Sequence, residues 1–193
     1  MHSFVHEAPH GNLTPCISFE FMQNGDLFNY VKKGGRLPDP IVRYYGHQLL
    51  EALTEMHRAD VCHRDLKLEN LVLDSDFNLK VIDFGHACEL SGDAGRGFSG
   101  DLCGSVGYKA PEIVVGIEYQ PQVADLFSLA VTLFMMYTGK QPFFKEASVN
   151  DKLYRYFCAN SQKTYWEIIE NSLTSSFGLC PEFKHLMTHM LAY

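Results

Sequence analysis

The stretch His63-Arg64-Asp65-Leu66-Lys67-Leu68-Glu69-Asn70 crowds five ionisable side chains and an amide into eight residues. Short apolar runs follow it, Leu71–Leu73 and Leu79–Ile82, parted by a turn at Asp74-Ser75-Asp76. That pattern predicts brief strands around a polar loop. Asp83-Phe84-Gly85 closes the region, and residues 85–107 are then rich in Gly, Ser and Asp with no periodicity. A loop of that length inside a compact domain is usually functional. Ala110-Pro111-Glu112 ends it.

Outward from this centre the chain reads as helical. Pro38 to about Arg58 carries Ile41, Tyr45, Leu49, Leu53 and Met56 at helical spacing, with Val42 and Leu50 widening the stripe. A shorter helix is expected from about Asp26 to Lys33, stopped by Gly34-Gly35. Pro121–Thr138 is apolar nearly all round, which predicts a buried helix. Ser148-x-x-Asp151 resembles a capping box for a further helix. A last helix starts near Pro181, with Phe183, Leu186, Met187, Met190 and Leu191 on one face. At the other end, residues 2–7 and 14–21 flank the turn-rich Pro9-His10-Gly11-Asn12 and read as a hairpin. The expected fold class is α+β, mainly helical.

Composition narrows the function classes. The 193 residues are 46% hydrophobic, enough for one sizeable core, and a net charge of −7 argues against a nucleic-acid partner. The N-terminus has no basic or apolar segment of a signal peptide, and no apolar run is long enough to span a bilayer. Six scattered cysteines form no CxxC pair. Together these predict free thiols, no structural zinc, and a cytoplasmic or nuclear, reducing location.

His63–Asn70, Asp83-Phe84-Gly85 and Ala110-Pro111-Glu112, in that order, resemble the protein kinase family of serine/threonine type, closest in style to calcium/calmodulin-dependent or energy-sensing kinases. A chance match would have to reproduce three motifs in sequence. The resemblance covers about Phe4 to Tyr193. It implies a single partial kinase domain over residues 1–193, with 1–21 a remnant of the small lobe and hinge and 22–193 an incomplete large lobe. It implies ATP and Mg²⁺ as cofactors and protein substrates.

Residue by residue, the resemblance makes Asp65 the acceptor of the substrate hydroxyl's proton, and Lys67 the cation on the transferring phosphate. Asn70 and Asp83 become hard oxygen ligands for Mg²⁺. His63 is then a structural partner stacking on Phe84, and Asp125 ties the buried helix to the backbone of the catalytic loop. Phe19-Glu20-Phe21-Met22 resembles the hinge: Phe19 as gatekeeper, backbone groups of Glu20 and Met22 on adenine, Asp26 on the ribose, and Val72 beneath the ring. Asp26 reads equally as a helix N-cap. Residues 85–110 look like an activation segment, with Ser105 near the catalytic aspartate. Asp101 stands where many relatives carry a phosphothreonine, and is expected to pair with Arg64 as a partial mimic of that phosphate. The alternative is a solvated Asp101, with Ser99 as the regulated residue. Asp26 and Glu69 occupy positions that in basophilic relatives meet arginines before the phosphoacceptor.

The Gly-rich loop and strand Lys with which a complete kinase begins are not found ahead of Phe19. Nor is an Arg partner for Glu112 found after the last helix. Two functions therefore stand side by side: part of an active kinase, or a pseudokinase-like binding or regulatory module. In either case an exposed apolar face is expected where a small lobe or a partner docks.

Overall fold

The computed structural model describes residues 2–7, 13–92, 95–159, 161–173 and 178–192. Strand β1 (His2–Glu7) pairs antiparallel with β2 (Leu13–Ser18), with His2 opposite Ser18 and Glu7 opposite Leu13. The expected hairpin is present, and its turn at Pro9–Asn12 lies outside the described residues. The second strand stops at Ser18 instead of reaching Phe21, and both Phe19 and Phe21 are largely exposed.

Helix α1 (Leu27–Gly34) begins at Asp26, whose carboxylate accepts from the Asn29 amide at 2.8 Å and from Asn29 Nδ2 at 2.7 Å. This is an N-cap that satisfies an otherwise orphan donor. Gly35, at φ +75°, ends the helix, and Leu27 and Val31 bury its inner face. Helix α2 (Asp39–Arg58) buries Val42, Tyr45, Leu49 and Leu53. Ile41 and Leu50, expected within the stripe, are 40% and 50% exposed. The buried line is rotated because the helix meets its neighbours along Val42, Tyr45 and Leu49, and one residue either way swings 100° round the axis.

Strands β3 (Val61–Cys62), β4 (Leu71–Leu73), β5 (Leu79–Val81) and β6 (Cys88–Glu89) form two small antiparallel ladders, β3 with β6 and β4 with β5. The β4–β5 turn is organised by Asp74, whose Oδ1 accepts from the amides of Asp76 and Asn78 at 3.0 and 2.9 Å. A short helix α3 (Pro111–Val115), absent from the sequence expectation, starts with Pro111 in its first turn.

Helix α4 (Pro121–Thr138) is the centre of the core. Ala130, Val131, Phe134 and Met136 have no exposed surface, and only Val123 and Leu126 among its large apolar residues face outward. Burying each large side chain contributes roughly 1.5–3 kcal/mol. Helices α5 (Arg155–Cys158), α6 (Gln162–Ser172) and α7 (Pro181–Met190) complete the chain. One contiguous cluster of buried residues runs from Leu27 to Leu191.

The Ser148–Asp151 capping box is not formed. Asp151 instead accepts from four amides, those of Phe144, Lys145, Leu153 and Tyr154, at 2.9–3.0 Å. A carboxylate saturated in this way folds the loop back on itself, and the helix starts only at Arg155. On α7, Met187 is buried but Leu186 is 47% exposed, which narrows the face expected there. No described helix is long and apolar enough to cross a membrane.

Candidate active site

The site is built where the loop after β3 meets the loop after β6. A buried carboxylate anchors it: Asp125, on α4, accepts from the backbone amides of His63 and Arg64 at 2.8 and 2.7 Å, and lies 3.0 Å from His57 Nε2. A buried carboxylate is tolerated only with such partners. The loop thus hangs from the most buried helix, as expected, although His57 was not foreseen; a single histidine on a helix gives no sequence signal. His57, Cys62 and Asp125 offer ligand atoms within 4.8 Å of one another. The carboxylate, however, is already committed to N–H donors, and burial pushes the Cys62 thiol up to about 12, so this is a hydrogen-bonded anchor. His185 and His189 are also one helical turn apart on α7, with ring centroids 4.3 Å apart.

Asp65 is the hub of a polar cluster. Its Oδ2 takes Lys67 Nζ at 2.6 Å and its Oδ1 takes the Ser105 amide at 2.7 Å. Asn70 Nδ2 donates to the Asp65 carbonyl at 2.9 Å. Lys67 Nζ also donates to Ser105 Oγ at 2.7 Å, so ammonium, carboxylate and hydroxyl form one cluster. Burial alone would raise the Asp65 carboxyl, but Lys67 and Ser105 outweigh it and hold it below the ordinary carboxylate value. Asp65 is therefore ionised across the neutral range.

Gly104 makes the approach of Ser105 possible. It sits at φ +96°, and a Cβ there would come within 2.8 Å of the Arg64 carbonyl oxygen. Only glycine tolerates both conditions.

Arg64 joins the same two loops from the other side. Its Nε donates to the His86 carbonyl at 2.7 Å, and its guanidinium reaches Ser99 Oγ at 3.1 Å and Asp101 Oδ2 at 2.9 Å. Burial opposes the charge, but the Asp101 carboxylate more than offsets this. Ser99 is buried, and its backbone pairs in both directions with Tyr119 at 2.8 and 2.9 Å. Ser99 is therefore shielded from solvent in this arrangement. Tyr119 adds a hydroxyl donated to the Asp101 carbonyl at 3.0 Å. That clamp joins residues eighteen to twenty apart, a pairing no local sequence pattern signals.

Asp83 and Arg64 both adopt left-handed backbone, φ +65° and +63°, conformations that cluster at functional positions. Asp83 Oδ1 accepts from the Gly85 amide at 3.2 Å, and the side chain is exposed. His63 meets Phe84 edge-on, with centroids 5.0 Å apart at 63°, rather than stacking face to face, and its Nε2 lies 3.0 Å from the Ile82 carbonyl.

At the hinge, the backbone pairs Asn24 N with Leu73 O (3.2 Å) and Leu73 N with Gly25 O (2.8 Å). Asp26 is thereby set against the buried Val72 of β4. Glu20 is exposed, and the Met22 carbonyl accepts from Gly25 N at 3.3 Å. Glu112 enters no ion pair among the described residues and is half-buried. A G-x-G-x-x-G run does occur at Gly95 to Gly100, far beyond the hinge. It carries the buried Ser99 within the activation segment, so it is no strand-to-strand phosphate cradle.

A mainly helical lobe whose His63–Asn70 loop hangs from a buried helix carboxylate in this way has the architecture of a protein kinase large lobe. Residues 4–193 match the protein kinase domain, and the chain belongs to that family. It is 46% identical over 129 residues to testis-specific serine/threonine-protein kinase 1 of Mus musculus, covering 66% of this chain and 35% of that protein. It is 38% identical over 142 residues to the probable serine/threonine-protein kinase MARK-B of Dictyostelium discoideum, covering 74% and 19%. To CBL-interacting protein kinase 11 of Oryza sativa subsp. japonica it is 38% identical over 139 residues, covering 72% and 27%. The chain is thus of the serine/threonine kinase type, an enzyme by family, and spans about a third or less of the length of these relatives.

Proposed function

We propose that this chain supplies the catalytic loop of a protein kinase that transfers the γ-phosphoryl group of ATP, with Mg²⁺, to serine or threonine hydroxyls of proteins. The observation that carries this reading is the cluster of Asp65, Lys67 and Ser105. Phosphoryl transfer needs positioning and charge neutralisation rather than covalent help. Asp65, ionised and fixed at both oxygens, orients the acceptor hydroxyl and takes its proton at Oδ2. Lys67 holds a positive charge beside that carboxylate, and Ser105 fixes the ammonium in place.

The residues fit the cofactor. Asn70 spends its amide nitrogen on the Asp65 carbonyl, which leaves its oxygen as the ligand end. Asp83 keeps Oδ2 without a hydrogen bond among the described residues. These are the hard oxygens Mg²⁺ prefers. Bound Mg-ATP supplies the transferable group and neutralises charge on its phosphate oxygens. Val72 and the backbone of Glu20 and Met22 form the adenine end, with Asp26 toward the ribose.

Asp101, paired with Arg64, stands in for an activating phosphate. Glu69, exposed and 3.4 Å from the Tyr108 hydroxyl, together with Asp26 favours basic residues ahead of the acceptor. The exposed Ile17, Phe19, Phe21 and Phe84 mark the face for a small-lobe segment or a partner. A non-catalytic module would use that same face. The described thiols suit a cytoplasmic or nuclear location.

The test is phosphorylation of a basic serine peptide by the full-length protein with Mg-ATP. Wild-type transfer that chelation of Mg²⁺ and Asp65→Asn both abolish is the expected result. A correctly folded wild-type protein that binds partners without transferring phosphate would favour the module.

A further inference from the structure

The β3–β6 ladder sets Cys62 directly opposite Cys88. The Asp60 carbonyl accepts from the Leu90 amide at 3.2 Å, which makes 60 and 90 a hydrogen-bonded pair. Cys62 and Cys88, two residues along, occupy the same type of position. Opposed residues there point to one face with Cα atoms about 5.5 Å apart, inside the span of about 4.4–6.8 Å that a disulfide bridges. Their Cβ atoms need to close by about 1–2 Å. No disulfide joins them, and the two residues differ in access: Cys62 is fully buried, Cys88 half-buried.

We propose that Cys62 and Cys88 are a dithiol site that a peroxide oxidises to a reversible intramolecular disulfide. Cys88 reacts first, because it is the partly exposed residue of the pair. Its thiolate attacks one peroxide oxygen, the O–O bond breaks, and the other oxygen leaves as hydroxide, giving a sulfenic acid. The Cys62 sulfur then displaces that hydroxyl; the S–S bond forms, and the hydroxyl leaves with the Cys62 proton as water. In sum, two thiols are oxidised, and hydrogen peroxide is reduced to two waters. The burial that holds the Cys62 thiol protonated makes it a poor first nucleophile, which fixes the order. Drawing two ladder positions together strains the bond, and strained disulfides are the readily reduced ones. The link would bolt the residue before His63 to the start of the activation segment. None of this depends on phosphoryl transfer.

The experiment treats full-length protein with hydrogen peroxide, blocks remaining thiols with iodoacetamide in urea, and digests it with trypsin without reductant. The expected product joins the peptide Ala59–Arg64 to Val81–Arg96. It disappears with dithiothreitol, is absent from Cys88→Ser, and persists in Cys103→Ser. Thermal melting confirms that both variants fold, and the wild-type map decides the question even without them. Cys62 and Cys88 recovered unlinked, whether alkylated or over-oxidised, would overturn the proposal. So would Cys88 joined to Cys103 instead.

Discussion

Replacing Asp101 by Ala removes the only carboxylate within ion-pair distance of Arg64 among the described residues. The two ends of that pair differ: the Arg64 side chain is 8% exposed and that of Asp101 is 61% exposed. Breaking a fully buried pair costs about 3–5 kcal/mol, and breaking an exposed one about 0–1 kcal/mol. Arg64 also keeps the His86 carbonyl and Ser99 Oγ. The expected loss therefore lies between these limits, about 1–2 kcal/mol. Charged to the ordering of the activation segment, this lowers kcat/KM by about 5–30-fold. The melting temperature falls by roughly 2–8 °C, since each kcal/mol moves a domain of this size by about 2–4 °C. The assay is steady-state phosphorylation by the full-length protein, with melting followed in parallel. Asp101→Asn, which keeps the hydrogen bond and removes the charge, should fall between Ala and wild type. If Asp101→Ala melts lower yet phosphorylates at the wild-type rate, the pair is structural and Asp101 does not replace a phosphate. If neither quantity moves, the pair does not order the segment at all.

Asp125→Ala strips the catalytic-loop amides of their acceptor and should destabilise by about 3–5 kcal/mol, read as a melting drop of roughly 6–20 °C. Gly104→Ala should fold but push Ser105 away from Asp65, reducing kcat/KM by about 5–30-fold through strain of order 1–2 kcal/mol; wild-type kinetics would show that the close approach is dispensable. Because the Asp65 carboxyl lies below its ordinary 3.8 in the folded protein, the unfolded chain binds the proton more tightly. Its stabilising contribution is complete above that value and is lost as pH falls below it. Melting of wild type against Asp65→Asn should thus converge on the acid side, and the difference should stay flat from about pH 5 to 8.

The parts legible in the sequence are those whose chemistry restricts the residue. The roles proposed for Asp65, Lys67, Asn70 and Asp83 call for a carboxylate, an ammonium two residues on and two hard oxygen ligands, and few other residue types could serve, so these four stand out in the sequence. The α4 helix was equally plain, since a run apolar on every side can only be inside. What failed depends on distant partners. Ile41 and Leu50 look like core residues by spacing, yet which line of α2 turns inward is set by what packs against it. Asp151 serves amides on both sides of itself, a loop closure no capping pattern encodes. Ser99 reads as an exposed serine in a glycine-rich loop until Tyr119 closes over it.

The attachment of the catalytic loop to α4 also divides the molecule in time. The amides of His63 and Arg64 donate to a carboxylate with no exposed surface, so their protons should exchange with solvent only when the core itself opens. The Ser99 and Tyr119 amides pair across two loops and can be released by a local opening. One half of the site should therefore keep its label for as long as the fold survives, while the other loses it many times over in the same interval.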